Sequence, residues 1–126
     1  MSDLMTGAQE ATDTSVTKVS SNFAPSGQSG QRYLAAGRKM SMRLWSEEPP
    51  GEVKPESTRP YETIGFVIKG RAELYLGEQL VLLEAGDSYV VPKDAKHRYK
   101  ILDTFTAVEA TSPPAEIHGR DSAEEG

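Results

Sequence analysis

Glycine and proline punctuate residues 50–97, PGEVKPESTRPYETIGFVIKGRAELYLGEQLVLLEAGDSYVVPKDAKH, at intervals too short for helices. The runs between them are rich in β-branched and aromatic residues, which is the composition of short strands separated by turns. Tyr61–Ile68 reads as a strand, Lys69-Gly70 as a turn, and Ala72–Leu76 with Gln79–Leu83 as a hairpin around Gly77-Glu78. Ala85-Gly86-Asp87 marks the next turn, Ser88–Val91 a strand and Pro92–Ala95 a loop. Beyond it, His97–Leu102 and Thr104–Ala110 read as two further strands. Upstream, Lys39–Trp45 sets Met40, Met42 and Leu44 against Lys39, Ser41, Arg43 and Trp45, the alternation of a half-buried strand, which Pro49, Pro50 and Gly51 stop. Only Arg32–Ala36 hints at a helix, and it is too short to carry weight. Short strands with turns between them predict an all-β sandwich or barrel rather than a βαβ fold.

With 126 residues the chain is expected to be one domain able to bury a core without staples. Residues 1–30 are poor in large apolar side chains and are expected to be mostly flexible, with Val16–Ser20 a candidate edge strand. Residues 31–112 make the barrel, and 113–126 a tail expected to fray. A net charge of −5 disfavours nucleic acid and anionic membranes as partners. The absence of cysteine excludes disulfides, thiolate metal sites and cysteine nucleophiles. No apolar run is long enough for a membrane span, and the N-terminus lacks the basic and apolar regions of a secretory signal, so a cytoplasmic protein is expected.

The punctuation resembles that of the cupins, whose two motifs sit on a double-stranded β-helix, or jelly-roll, barrel. Their second motif runs Gly, five residues, Pro, one residue, Gly, two residues, His, three residues, Asn. Here Gly86, Pro92 and His97 fall in place, with Asp94 where Gly is usual and Ile101 where Asn is usual. Asp tolerates a left-handed backbone better than most residues and suits that turn. The first motif begins with a Pro-Gly turn, then His-x-His, a Glu and a closing Gly. Pro50-Gly51 and Gly70 match its ends. Counting back from Gly70 places Thr63 at the Glu position, and Ser57 and Arg59 at the two His positions. The resemblance implies a metal held by those positions with His97. Hydroxyls are poor ligands for divalent first-row metals, however, and a guanidinium has no lone pair to give. No metal is therefore the preferred expectation. A shifted register would instead offer Glu56, Glu62 and His97 to one divalent ion, and it requires a bulge.

Several side chains are candidates for the barrel mouth. Arg59 is either a bidentate clamp for a carboxylate or phosphate, or a surface partner of Glu62 or Glu56. His97 is either a base or ligand contact, or an imidazole satisfied by Tyr99 or a backbone carbonyl. Tyr61 shares the strand parity of Arg59, and Glu62 does not. Arg43 and Trp45 share one face; it points into the pocket or, slightly favoured, outward with Trp45 in a subunit contact. Glu109 either points inward, pairing with Arg43 or Arg59 or acting as an acid, or is an edge-strand charge. His118, in the tail, is expected to be solvated.

Three functions follow as expectations. The first is a cavity that binds a small polar or anionic organic molecule through Arg59, Tyr61 and His97, with Arg43 and Glu109 as further contacts. The second is a metal-independent epimerase, isomerase or dehydratase in which His97 moves a proton. The third is a metal-dependent oxygenase or isomerase using Glu56, Glu62 and His97. The resemblance to cupins, which often pair barrels through sheet edges, implies a homodimer, with Val16–Ser20 and Trp45 as candidates for the paired edge.

Overall fold

A computed structural model describes residues 16–27 and 30–115. The flexible segment expected before Val16, the tail beyond Ala115 and His118 lie outside the described residues. The described part is all β, with the strands β1 (Arg32–Ala36), β2 (Ser41–Glu48), β3 (Glu62–Leu76), β4 (Gln79–Glu84), β5 (Ser88–Val91) and β6 (His97–Ser112). All pairings are antiparallel, in the order β1-β2-β6-β3-β4, with β5 on the N-terminal half of β3. No helix among the described residues is long and apolar enough to cross a membrane.

Five sequence expectations change here. Arg32–Ala36, the helix hint, is a strand paired with β2. Val16–Ser20 forms no strand and is exposed. The start of the expected tail is docked: Ala115 is buried, and its N–H reaches the Ser41 and Thr111 hydroxyls at 3.1 Å each. Lys69-Gly70 is a bulge inside one long strand rather than a turn, and His97–Ser112 is likewise continuous.

The bulge sets the architecture. Gly70 has φ +88°, and a Cβ there would run into the Thr104 carbonyl of β6, so only glycine fits. Across it the buried parity of β3 switches from Thr63, Gly65 and Val67 to Ala72 and Leu74. Trp45 pairs with Ala107, eight residues along β6 from Tyr99 and thus about 26 Å away on a straight strand. The Trp45 and Tyr99 rings nevertheless meet at 5.7 Å, so β6 bends and brings its two halves over one core. That core joins Trp45, Val67, Leu74, Leu83, Tyr99 and Phe105 among others, from β2, β3, β4 and β6.

Candidate functional site

The segment between β2 and β3 closes the open end of the bent sheet. Lys54 N–H donates to Tyr99 O at 2.8 Å, and Ser57 exchanges both backbone hydrogen bonds with His97, at 2.8 and 3.0 Å. This holds an irregular stretch against β6 as if it were a strand, and residues 54–57 and Arg59 of that stretch line the cavity. The wall between them is a cavity of about 160 Å³ lined by Trp45, Lys54, Glu56, Ser57, Arg59 and His97, with Arg43 and Tyr99 also contributing. The volume suits a compact molecule, since an interior cavity of about 150 Å³ accepts benzene.

Arg59 is only 6% exposed and lines the cavity. The Asp94 N–H donates to its carbonyl at 2.8 Å, and Asp94 takes the left-handed conformation the turn requires, φ 66°. Arg59, Tyr61 and Thr63 are all buried while Glu62 is exposed, as strand parity predicts. His97 Nδ1 lies 2.9 Å from Ala95 O, an arrangement in which Nδ1–H donates and Nε2 keeps its lone pair. Burial pushes the His97 pKa down, partly offset by that hydrogen bond to Ala95, with Glu109 raising it and the Arg43 and Arg59 charges lowering it.

Beneath the cavity lies a buried polar network. Arg43 Nε–H donates to Glu109 Oε1 at 2.6 Å, and Arg43 also donates to Tyr61 Oη at 2.7 Å. Tyr89 Oη–H donates to Glu109 Oε2 at 2.5 Å, and burial followed by the Glu109 charge pushes its pKa well above the ordinary tyrosine value. Gly65 makes this last contact possible, because a Cβ there would stand inside the Tyr89 ring. Arg43 and Glu109 therefore both point inward, and the outer-face placement of Arg43 and Trp45 is overturned, as is the edge-strand reading of Glu109. Trp45, 2% exposed, is no subunit contact. Tyr61 and Glu109 hold Arg43 from behind, whereas Arg43 itself reaches the cavity wall. Trp45 Nε1 and Tyr99 Oη are buried without a hydrogen-bond partner. Tyr99 is buried, and burial ahead of the Glu109 charge pushes its pKa well up, so it stays a neutral phenol.

Lys54 and Tyr89 carry no signal that would have marked them beforehand. Lys54 reaches the site through an irregular segment with no period, pairs with Glu48 at 2.8 Å and sits 5.6 Å from the Trp45 ring centre. Tyr89 had only the alternation of its short strand, where it shares parity with Val91.

A family profile described as a cupin domain matches residues 44–112, more than half of the chain. The chain is a cupin. Among solved structures, this cupin is similar to an RmlC-like cupin from Shewanella frigidimarina, at TM-score 0.67 and 15% identity over 81% of this chain and 95% of that one. It is also similar to KdgF from Halomonas sp., at TM-score 0.59 and 21% identity over 67% of this chain and 79% of that one. A third similar structure is the DMSP lyase DddQ from Ruegeria pomeroyi, at TM-score 0.60 and 18% identity over 80% and 56% of the two chains. At such identities the likeness carries the fold. No curated protein matches the sequence.

The metal that the cupin fold implies does not fit these side chains. Ser57, Arg59 and His97 share the cavity wall, so one imidazole stands beside a hydroxyl and a permanent cation where further lone pairs are required. The shifted arrangement is not assembled either: Glu56 lines the cavity, but Glu62 faces solvent at the start of β3. Among the described residues, no three of His, Cys, Asp and Glu come together to hold a metal ion.

Proposed function

We propose that the cavity binds a small anionic organic molecule, a carboxylate of roughly six to ten non-hydrogen atoms by the size argument above. The observation that carries this reading is that Arg59 and His97 share the cavity wall, at positions where the family's motif places metal ligands. Arg43 and Lys54 also line the cavity. Arg59, buried on the cavity wall beside His97, is the residue we assign to the ligand's charge, through the planar fork that recognises carboxylates. Ser57 and His97 offer neutral hydrogen bonds beside it, and the Trp45 and Tyr99 rings supply apolar wall.

A second reading, proton transfer, is favoured by the state of His97. Its lowered pKa keeps it neutral at pH 7, and the Ala95 contact reserves Nε2 as a base. On that reading Arg59 stabilises the oxyanion that forms when a proton leaves the carbon beside a carbonyl, as in an epimerase, isomerase or dehydratase.

Thermal unfolding in the presence of pooled hydroxy acids, keto acids and sugar acids tests both. Stabilisation by one acid, lost in Arg59→Ala, supports the binding reading. Conversion of that acid by the wild type and not by His97→Gln supports proton transfer. Stabilisation unaffected by Arg59→Ala contradicts both readings.

A further inference from the structure

Part of the cavity wall comes from a residue that no strand pattern singles out. Gln31 stands just before β1, is 5% exposed, and lines the cavity together with Arg59 and His97. Its backbone is fixed. The Gly27 N–H donates to the Gln31 carbonyl at 2.7 Å, and the Tyr33 N–H donates to the Pro25 carbonyl at 2.9 Å, which ties residues 25–27 to the start of β1. Gly30 precedes it at φ +100°, where a Cβ would also meet the Glu48 carboxylate at 2.9 Å. The Gln31 side-chain amide has no hydrogen-bond partner among the described residues. A buried amide left over in this way costs free energy unless the contents of the cavity satisfy it.

His97 faces the same space with a complementary need. Its Nδ1–H is committed to the Ala95 carbonyl at 2.9 Å, so Nε2 carries a lone pair and no proton. The three cations on the wall, Arg43, Lys54 and Arg59, can only donate. Glu56, the one carboxylate on the wall, is exposed. Within the buried part, His97 Nε2 is therefore an acceptor waiting for a donor, beside an amide that offers both.

We infer, resting on the anion site proposed above, that the ligand is a hydroxy acid recognised at two points. Arg59 takes its carboxylate. Its hydroxyl donates to His97 Nε2 and accepts from the Gln31 amide N–H, which a hydroxyl can do at once. A keto oxygen accepts from Gln31 but leaves the His97 lone pair unmet, and a methylene leaves both unmet. Such discrimination is strong because the penalty falls on the buried groups of the site itself. The cavity of about 160 Å³ confines these groups around one compact molecule, with the hydroxyl on the carbon beside the carboxylate or on the next one.

Calorimetric titration of the full chain with 2- and 3-hydroxybutanoate, the two matching oxo acids and butanoate tests this assignment. One hydroxybutanoate is expected to bind at least about 10-fold more tightly than its oxo counterpart and than butanoate, as two neutral hydrogen bonds imply. Gln31→Leu and His97→Phe should each remove most of that preference while changing butanoate affinity by less than about 2-fold. If either variant does not fold, nitrogen NMR of the wild type decides, since His97 and His118 are the only histidines. The His97 Nε2 resonance is expected to move upfield with the hydroxy acid and to stay in place with butanoate. Equal binding of the hydroxy acids, the oxo acids and butanoate, all of it lost in Arg59→Met, overturns the inference and leaves the anion site standing. So does an Nε2 resonance unmoved by a hydroxy acid that binds. Binding unchanged in Arg59→Met, or no binding by any of these acids, removes the anion site and the hydroxy-acid assignment with it.

Discussion

The same two long strands, β3 and β6, build both halves of this barrel, yet the halves solve the burial problem in opposite ways. On one side of the Gly70 bulge the inner rows are Ile101–Ala72–Leu83 and Tyr99–Leu74–Val81, an apolar interior. Its outer rows, Arg98–Tyr75–Leu80 and Lys100–Glu73–Leu82, are largely polar, with Arg71 and Asp103 paired at 2.6 Å. On the other side the interior holds Arg43, Glu109, Thr63 and Thr111, and the exterior is apolar. The first half is an ordinary half-buried sheet whose stability comes from apolar burial. The second keeps charge inside only because each charged group is paired: a buried ion pair costs desolvation that its hydrogen bonds must offset. The difference teaches that this interior is not built for stability alone. It holds Arg43 at the cavity wall.

The comparison is broken most severely at Glu109. Glu109→Leu strands the Arg43 charge in a nearly waterless site and is expected to cost about 3–5 kcal/mol in urea unfolding. The double variant Arg43→Met/Glu109→Leu should recover most of that, because the apolar pair removes the uncompensated charge. If Glu109→Leu costs less than about 1 kcal/mol, the two interiors do not differ as described. Next in size is Gly65→Ala, which pushes the Tyr89 ring off Glu109 and is expected to cost about 1–3 kcal/mol by overpacking.

Sequence reasoning read the second half-barrel poorly and the first half-barrel well, for the same physical reason. Alternation identifies which residues share a face but assumes that the apolar set is buried, and in Ser41–Glu48 the polar set is the buried one. Alternation therefore leaves Arg43 between an inward and a slightly favoured outward placement, and leaves Glu109 undecided, because neither residue's partner is visible in the sequence. The parity of Arg59, Tyr61 and Thr63 was legible because motif spacing, not hydrophobicity, fixed it. The Gly77-Glu78 hairpin was legible because its turn chemistry is local. Gly70 was seen as a break but not as a bulge, because its constraint is the Thr104 carbonyl on another strand. The contribution of Lys54 to the cavity depended on a backbone pairing that no periodicity announces.

Two smaller effects sharpen the contrast. The lowered pKa of His97 means that the unfolded chain, with its ordinary value of 6.5, takes up a proton first. Stability is thus expected to fall as pH drops from 6.5 through the lower folded pKa, and this component should vanish in His97→Gln when urea midpoints are compared with pH. A wild type and a His97→Gln variant with parallel profiles would show that burial does not disfavour the imidazolium. Leu80→Lys, on the polar outer face, is expected to change stability by no more than about 0.5 kcal/mol.

Trp45 is the only tryptophan and lines the cavity, so its fluorescence and its indole N–H resonance report cavity occupancy directly. Titration with small hydroxy and keto carboxylates, beside amines of the same size, is the most direct test of an anion site built on Arg59. The account predicts a saturable Trp45 response to at least one carboxylate, none to the amines, and its loss in Arg59→Met. A response to amines but not to carboxylates, or a carboxylate response unchanged in Arg59→Met, would contradict it.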